Sequence, residues 1–205
     1  MVRNASDSAA SLIAGGAALV AGSVLTDSSM EHYRCSFANK AMFLPLGASA
    51  LSVGHDGALA VRGPSAGRVG PWSIGVHAAS AGVGAAGLGF HIYNIARQPG
   101  GFSLGNFFYQ APVGAPAALV FAGALGAAAH ALGSGAPALG PVPLLSGRAL
   151  AGFTALGLAG TAGEAALLHF RGAYHNPAMW LPVTLPPIAA LSLACAALTG
   201  RVNWI

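Results

Sequence analysis

The sequence predicts an all-α, polytopic integral membrane protein with about six transmembrane helices. Three observations carry that expectation. Only 7% of the 205 residues are charged and 55% are hydrophobic, whereas about 25% of a soluble domain is charged. The apolar residues gather into long runs, and crossing a bilayer takes roughly 20 of them. Glycine is abundant, at 30 residues, as expected where membrane helices pack through small side chains.

Six runs are long enough, at approximately 9–29, 41–61, 72–96, 111–132, 147–169 and 178–199. Links rich in Gly, Pro and Arg separate them, such as "RGPSAGRVGP" and "GSGAPALGPVPLLSGR". No link has room for a soluble domain, so 1–205 reads as one membrane domain. The first run has the look of a signal peptide, with Arg3 ahead of an apolar stretch. An internal repeat argues that it is kept. "HYRCSFANKAMFLP" at 32–45 aligns without a gap on "HFRGAYHNPAMWLP" at 169–182, with seven of fourteen positions identical. Asp27 falls on Glu164 in the same alignment, so the first run corresponds to the fifth, which must be a mature span.

The second span completes a hairpin with the first (9–61), and the sixth completes one with the fifth (147–199). The proline-containing start of the sixth, "LPVTLPPIAAL", is tolerable because neighbouring helices can satisfy the freed carbonyls. Between these lies a weaker third copy over 72–132, where "HIYNIARQPGGFSLGNFFYQAP" again runs His, Arg, Asn106, Pro112. Three parallel hairpins place all three polar loops on one side of the membrane. Arg3, Arg62, Arg68, Arg148 and Arg201 mark the other side, against Arg34, Lys40, Arg97 and Arg171 on the loop side. That balance favours cytoplasmic termini in a bacterial-type inner membrane.

The net charge of +4 comes from singly scattered basic residues and a shortage of acids. It is not the clustered basic surface of a nucleic-acid binder. Cys35 and Cys195 are expected at different depths and hence unpaired. No CxxCH, HExxH, GxSxG or P-loop motif occurs, and Lys40 as the sole lysine leaves no candidate for a retinal Schiff base.

The seven histidines fall into two layers. His32, His91, His169 and His175 lie at the loop side, while His55, His77 and His130 lie at the other. His77 and His91 are 14 residues apart on one helix, sharing a face about 21 Å apart. One histidine per leaflet on one helix is how a membrane cytochrome b holds two haems, each iron taking a second axial His from a neighbour. His130 or His55 would partner His77, and His32 or His169 would partner His91. In general plan the layout resembles the small cytochrome-b anchor subunits, without a stretch of sequence that carries residues across. A small subunit of a membrane redox complex is therefore expected, at most an electron-transfer component of an oxidoreductase. It would use b-type haem or a quinol site, with Arg34 and Arg171 neutralising propionates or a quinone oxygen. Partner subunits or a second copy would complete it.

Two rival readings stand beside it. In a transporter, channel or metal-binding protein, the duplicated acid–His–Arg set (Asp27, His32, Glu164, His169 and nearby His175) would line a path or hold a transition metal. Asp27 and Glu164 each precede a His by five residues, so a bend or helix end is needed to bring each pair together. In a non-catalytic assembly subunit the motif is a folding device. Asn39, Asn106 and Asn176 then act as N-caps or make loop bonds before the following helix, and Met42, Met179, Trp180 and the aromatics of "FFY" at 107–109 pack the hairpin ends at the interface.

Overall fold

The computed structural model describes residues 5–64, 70–109, 112–135 and 146–199, the side chains of 108 and 109 excepted. Arg3, Arg68 and Arg201, and most of the links at 65–69 and 136–145, lie outside the described residues. Every regular element among the described residues is helical: α1 (Ala5–Arg34), α2 (Leu44–Arg62), α3 (Pro71–Ala96), α4 (Leu104–Tyr109), α5 (Gly114–Gly133), α6 (Gly147–Arg171) and α7 (Leu181–Thr199). Short 3-10 turns at Lys40–Phe43 and Pro177–Trp180 precede α2 and α7.

Among the described residues, five segments are long and apolar enough to cross a bilayer: α1, α3, α5, α6 and the turn-plus-helix Pro177–Thr199. Large apolar side chains such as Leu12, Leu19, Leu156 and Leu191 stand exposed on them, as lipid-facing positions should. The chain is thus a multi-pass membrane protein. The segment expected as the second span is helical but does not join these five. The reason is in its middle, where His55 and Asp56 interrupt the apolar run. Ser49, Ser52 and Asp56 are buried inside the protein.

The chain divides into two compact units, one of 1–89 with 115–145 and one of 90–114 with 146–205. In the first, α1 lays a stripe of small residues inward: Ala10, Ala14, Ala17, Ala21, Val24 and Ser28, spaced alternately four and three apart. That spacing keeps them on one face. A Cβ at Gly15 would touch Ala60 and one at Gly22 would touch Val53, so α1 and α2 pack as a hairpin in close register. Val24, Ala48 and Leu119 form one apolar cluster, and Ala14, Leu59 and Ala129 another. α2 ends at Gly63, whose φ of 81° suits glycine and whose N–H donates to Leu59 O at 2.8 Å; Pro64 then forbids continuation.

In the second unit α6 and α7 form the other hairpin. Ser146 Oγ accepts from Ala149 N at 3.1 Å and starts α6, and Arg148 Nε donates to Ala197 O at 2.8 Å. The helix of α7 continues through Pro186 and Pro187, as expected.

The two aligned sequence motifs make the same turn. His32 Nδ1–H donates to Met42 O at 2.7 Å, and His169 Nδ1–H donates to Met179 O at 2.8 Å. Asn39 and Asn176 accept through Oδ1 from Ala41 N and Ala178 N, each at 2.9 Å, so both are N-caps. Ser36 and Phe37, like Ala173 and Tyr174, take the left-handed conformation, which lets the chain leave the helix sharply. Phe37 stacks on Phe43 and Tyr174 on Trp180, both at 4.3 Å. The middle segment differs. α5 begins at Gly114, a few residues later than expected, after the added helix α4. Ser103 Oγ accepts from Asn106 N at 3.3 Å, while Asn106 Nδ2 donates to Pro99 O and Gly101 O. Asn106 therefore ties the long loop together through loop bonds, the alternative to an N-cap that its sequence position offered.

Candidate metal centre

Three helices of the first unit each present a polar or glycine triplet within eight residues. On α2 these are Ser49, Ser52 and Asp56; on α3, Ser73, His77 and Ser80; on α5, Gly123, Gly126 and His130. Spacings of three and four put each triplet on one helix face. The α5 glycines allow the third face to close. A Cβ at Gly126 would lie 2.6 Å from His77 Nε2 and 2.7 Å from Asp56 Oδ2, and one at Gly123 would lie 2.8 Å from His77 O. The backbone of α5 therefore rests against the His77–Asp56 pair.

His77 Nε2–H donates to Asp56 Oδ1 at 2.8 Å. The pair is buried, with His77 3% exposed and Asp56 0%. His130 Nε2 approaches the same oxygen at 3.4 Å. His55 stands one residue before Asp56 and completes the group. Its Nε2 is 2.9 Å from Ser73 Oγ, which also lies 3.5 Å from His130 Nδ1. The His55 and His130 rings stack at 4.4 Å, and His77 lies 5.0 Å from one and 5.5 Å from the other. One ligand nitrogen from each of the three imidazoles falls within 4.8 Å of the others.

The cluster is electron-rich and incompletely bonded. Asp56 Oδ2, His77 Nδ1 and His130 Nε2 are buried without a hydrogen-bond partner, each costing about 1–3 kcal/mol if left so. A divalent ion bound by imidazole at about 2.0–2.1 Å sets ligand nitrogens about 3.4 Å apart in a tetrahedron. The stacked His55 and His130 rings would have to turn for their nitrogens to reach that spacing. Neutral imidazole nitrogen with one carboxylate oxygen is a donor set for zinc, copper, iron or nickel. His77 held by a carboxylate is the arrangement that orients metal-ligating histidines elsewhere.

The cluster lies near one end of its unit. His130 is three residues from the end of α5, and Ser73 is two from the start of α3. Gly133 packs against Pro64 and Ala10, which aligns those helix ends. At about 1.5 Å per residue, Asp56 sits about 9 Å in from the end of α2.

The histidines expected in this layer, His55, His77 and His130, are brought together. The others are held singly by loop carbonyls. In the second unit His91 Nδ1–H donates to Pro112 O, and His175 Nδ1–H donates to Gly172 O at 2.9 Å. His32 and His169 serve the matching turns, leaving Nε2 of each ring as the nitrogen able to accept or ligate. α1 runs unbroken through Asp27 and His32, and α6 through Glu164 and His169, so no bend follows either acid. Arg34 pairs with Glu31 at 2.6 Å, Arg171 closes α6, and Glu164 lies against Gly114 at the start of α5.

Asp56 was not among the residues the motifs picked out, nor were Ser52, Ser73 and Ser80. The signal was an acid beside a histidine, "GHDG" at 54–57, in the middle of an apolar run where ionisable groups are rare. Comparison with known proteins finds no matching family model, no matching curated protein and no matching solved structure.

Proposed function

We propose that this is a membrane protein that holds a transition-metal ion at His55, His77 and His130, with Asp56 as the adjoining carboxylate. The observation that carries the reading is the convergence of three imidazoles from three helices, within 4.8 Å, around a buried acid. A bound cation would balance the Asp56 charge and engage the open nitrogens, removing the cost that the metal-free cluster bears. With iron or copper the centre is a one-electron site, which keeps the chain in the electron-transfer class as a subunit serving a partner or quinone. Haem b on His77 and His91 is the competing form of that reading, and its reduced-minus-oxidised absorption band distinguishes it.

The finer architecture belongs to the same proposal. α2 is the sixth span, its polar face turned inward. The α1–α2 and α6–α7 hairpins are parallel repeats, supported by their matching turns, and the α3–α5 segment is a diverged third. Both termini face the cytoplasm of a bacterial-type inner membrane, supported by the arginine distribution.

The test is titration of the chelator-treated, detergent-purified chain with Zn²⁺ and Cu²⁺. Saturation at one equivalent, lost in His77→Ala and in His130→Ala, is the expected result. Wild type without uptake, or uptake unchanged in both variants, contradicts the proposal.

A further inference from the structure

A serine or threonine in a membrane helix commonly turns back on its own backbone. Ser23, Thr26 and Ser29 on α1 bond carbonyls three or four residues earlier, as do Thr161 on α6 and Ser192 on α7. Ser73 on α3 behaves differently. Among the described residues its Oγ reaches two rings, 2.9 Å from His55 Nε2 and 3.5 Å from His130 Nδ1. One buried hydroxyl thus meets imidazoles from two other helices. Ser73 stands one turn before His77 on the same face of α3. That helix therefore supplies one of the three histidines and an anchor for the other two.

Each imidazole of the cluster has one nitrogen beside an oxygen. His77 Nε2 is held by Asp56, while His55 Nε2 and His130 Nδ1 face Ser73. The second nitrogen of each ring is left open, and those of His77 and His130 are buried with no hydrogen-bond partner. A neutral imidazole that ligates through one nitrogen carries its proton on the other, and that N–H takes an acceptor. A hydroxyl oxygen has two lone pairs, so Ser73 can accept from both rings at once. His55 and His130 stack at 4.4 Å with their planes 1° apart, and they must turn to share an ion. Anchored at a common oxygen, each ring keeps only the turns that preserve that bond.

We propose that Ser73 is a positioning residue of the metal centre. It accepts the Nε2–H of His55 and the Nδ1–H of His130, so that His55 ligates through Nδ1 and His130 through Nε2. Ser73 itself is not a ligand. This role rests on the metal reading of the cluster.

The full-length, detergent-purified chain is treated with chelator and titrated with Zn²⁺, as wild type, Ser73→Ala and Ser73→Thr. Loss of an outer hydrogen bond to a ligating histidine typically weakens metal binding about 10–100-fold. Ser73→Ala should raise the Zn²⁺ dissociation constant by about that factor with the stoichiometry unchanged. Ser73→Thr keeps the hydroxyl and should stay near wild type. Histidine nitrogen-15 spectra of the zinc-loaded wild type should show His55 protonated at Nε2 and His130 at Nδ1, a signature that packing alone does not set. The opposite tautomer at either ring overturns the assignment. Affinity unchanged in Ser73→Ala, in a wild type that binds zinc, removes the role of Ser73 and leaves the metal centre standing. A wild type that takes up no zinc removes the metal centre, and the role of Ser73 with it.

Discussion

His77 donates its Nε2 proton to Asp56 Oδ1 at 2.8 Å, and neither side chain reaches solvent. The pair joins α2 to α3 inside the unit, with α5 pressed against it at Gly126. Such a pair is costly to break from one side, because the survivor stays buried without its partner.

His77→Ala should therefore destabilise the protein by about 3–5 kcal/mol. Asp56→Asn keeps the volume and a hydrogen-bond acceptor while removing the charge, so its loss should be smaller. Denaturant or thermal unfolding in detergent ranks the two. Equal and negligible losses would mean that the pair does not hold the helices.

Gly126→Ala should perturb the cluster without touching a polar group. Its Cβ would lie 2.6 Å from His77 Cδ2, an overpacking worth about 1–3 kcal/mol, and metal affinity should fall with it. Gly163→Ala on α6 is the control, since a Cβ there meets nothing within 4 Å. It should be neutral or slightly stabilising, by up to about 1 kcal/mol.

The matching turns predict matching energetics. Asn39→Ala and Asn176→Ala each remove a cap and should each cost about 1 kcal/mol. Ala173 has φ 52°, a conformation costing a non-glycine residue about 1–2 kcal/mol. Ala173→Gly should thus stabilise the second hairpin modestly. Unfolding midpoints of the three variants check this, and opposite signs for the two asparagines would contradict the equivalence.

Metal retention should depend on pH in one direction. Imidazole ligates only when neutral, and its ordinary pKa is about 6.5. Protons compete with the metal for these nitrogens, so affinity should fall steadily as the pH is lowered. Release on alkalinisation instead would exclude an imidazole ligand set.

Much of this was legible in the sequence because long apolar runs and a gapless repeat are strong signals. Helices lie at all six predicted places, and the repeat correctly marked two similar turns with asparagine caps. The positions of His55, His77 and His130 along their helices also place them in one layer. Asp56 lies outside the repeated motif. Repetition signals shared geometry, and in "HYRCSFANKAMFLP" that geometry is a turn whose His, Asn and aromatics bond and stack within the loop. The buried face of α2 was harder to read. Single serines at 49 and 52 look like ordinary membrane-helix residues until their partners on α3 and the missing side chains at Gly123 and Gly126 are known. That information is tertiary, and a pattern along one helix does not contain it.

The most direct test of the central claim is X-ray absorption at the metal edge of the loaded, full-length protein. The account predicts a nitrogen and oxygen shell at about 2.0–2.2 Å with the outer-shell scattering of about three imidazoles, reduced by one in His130→Ala. A shell of sulfur, or of oxygen alone, or a spectrum untouched by His130→Ala, would contradict it.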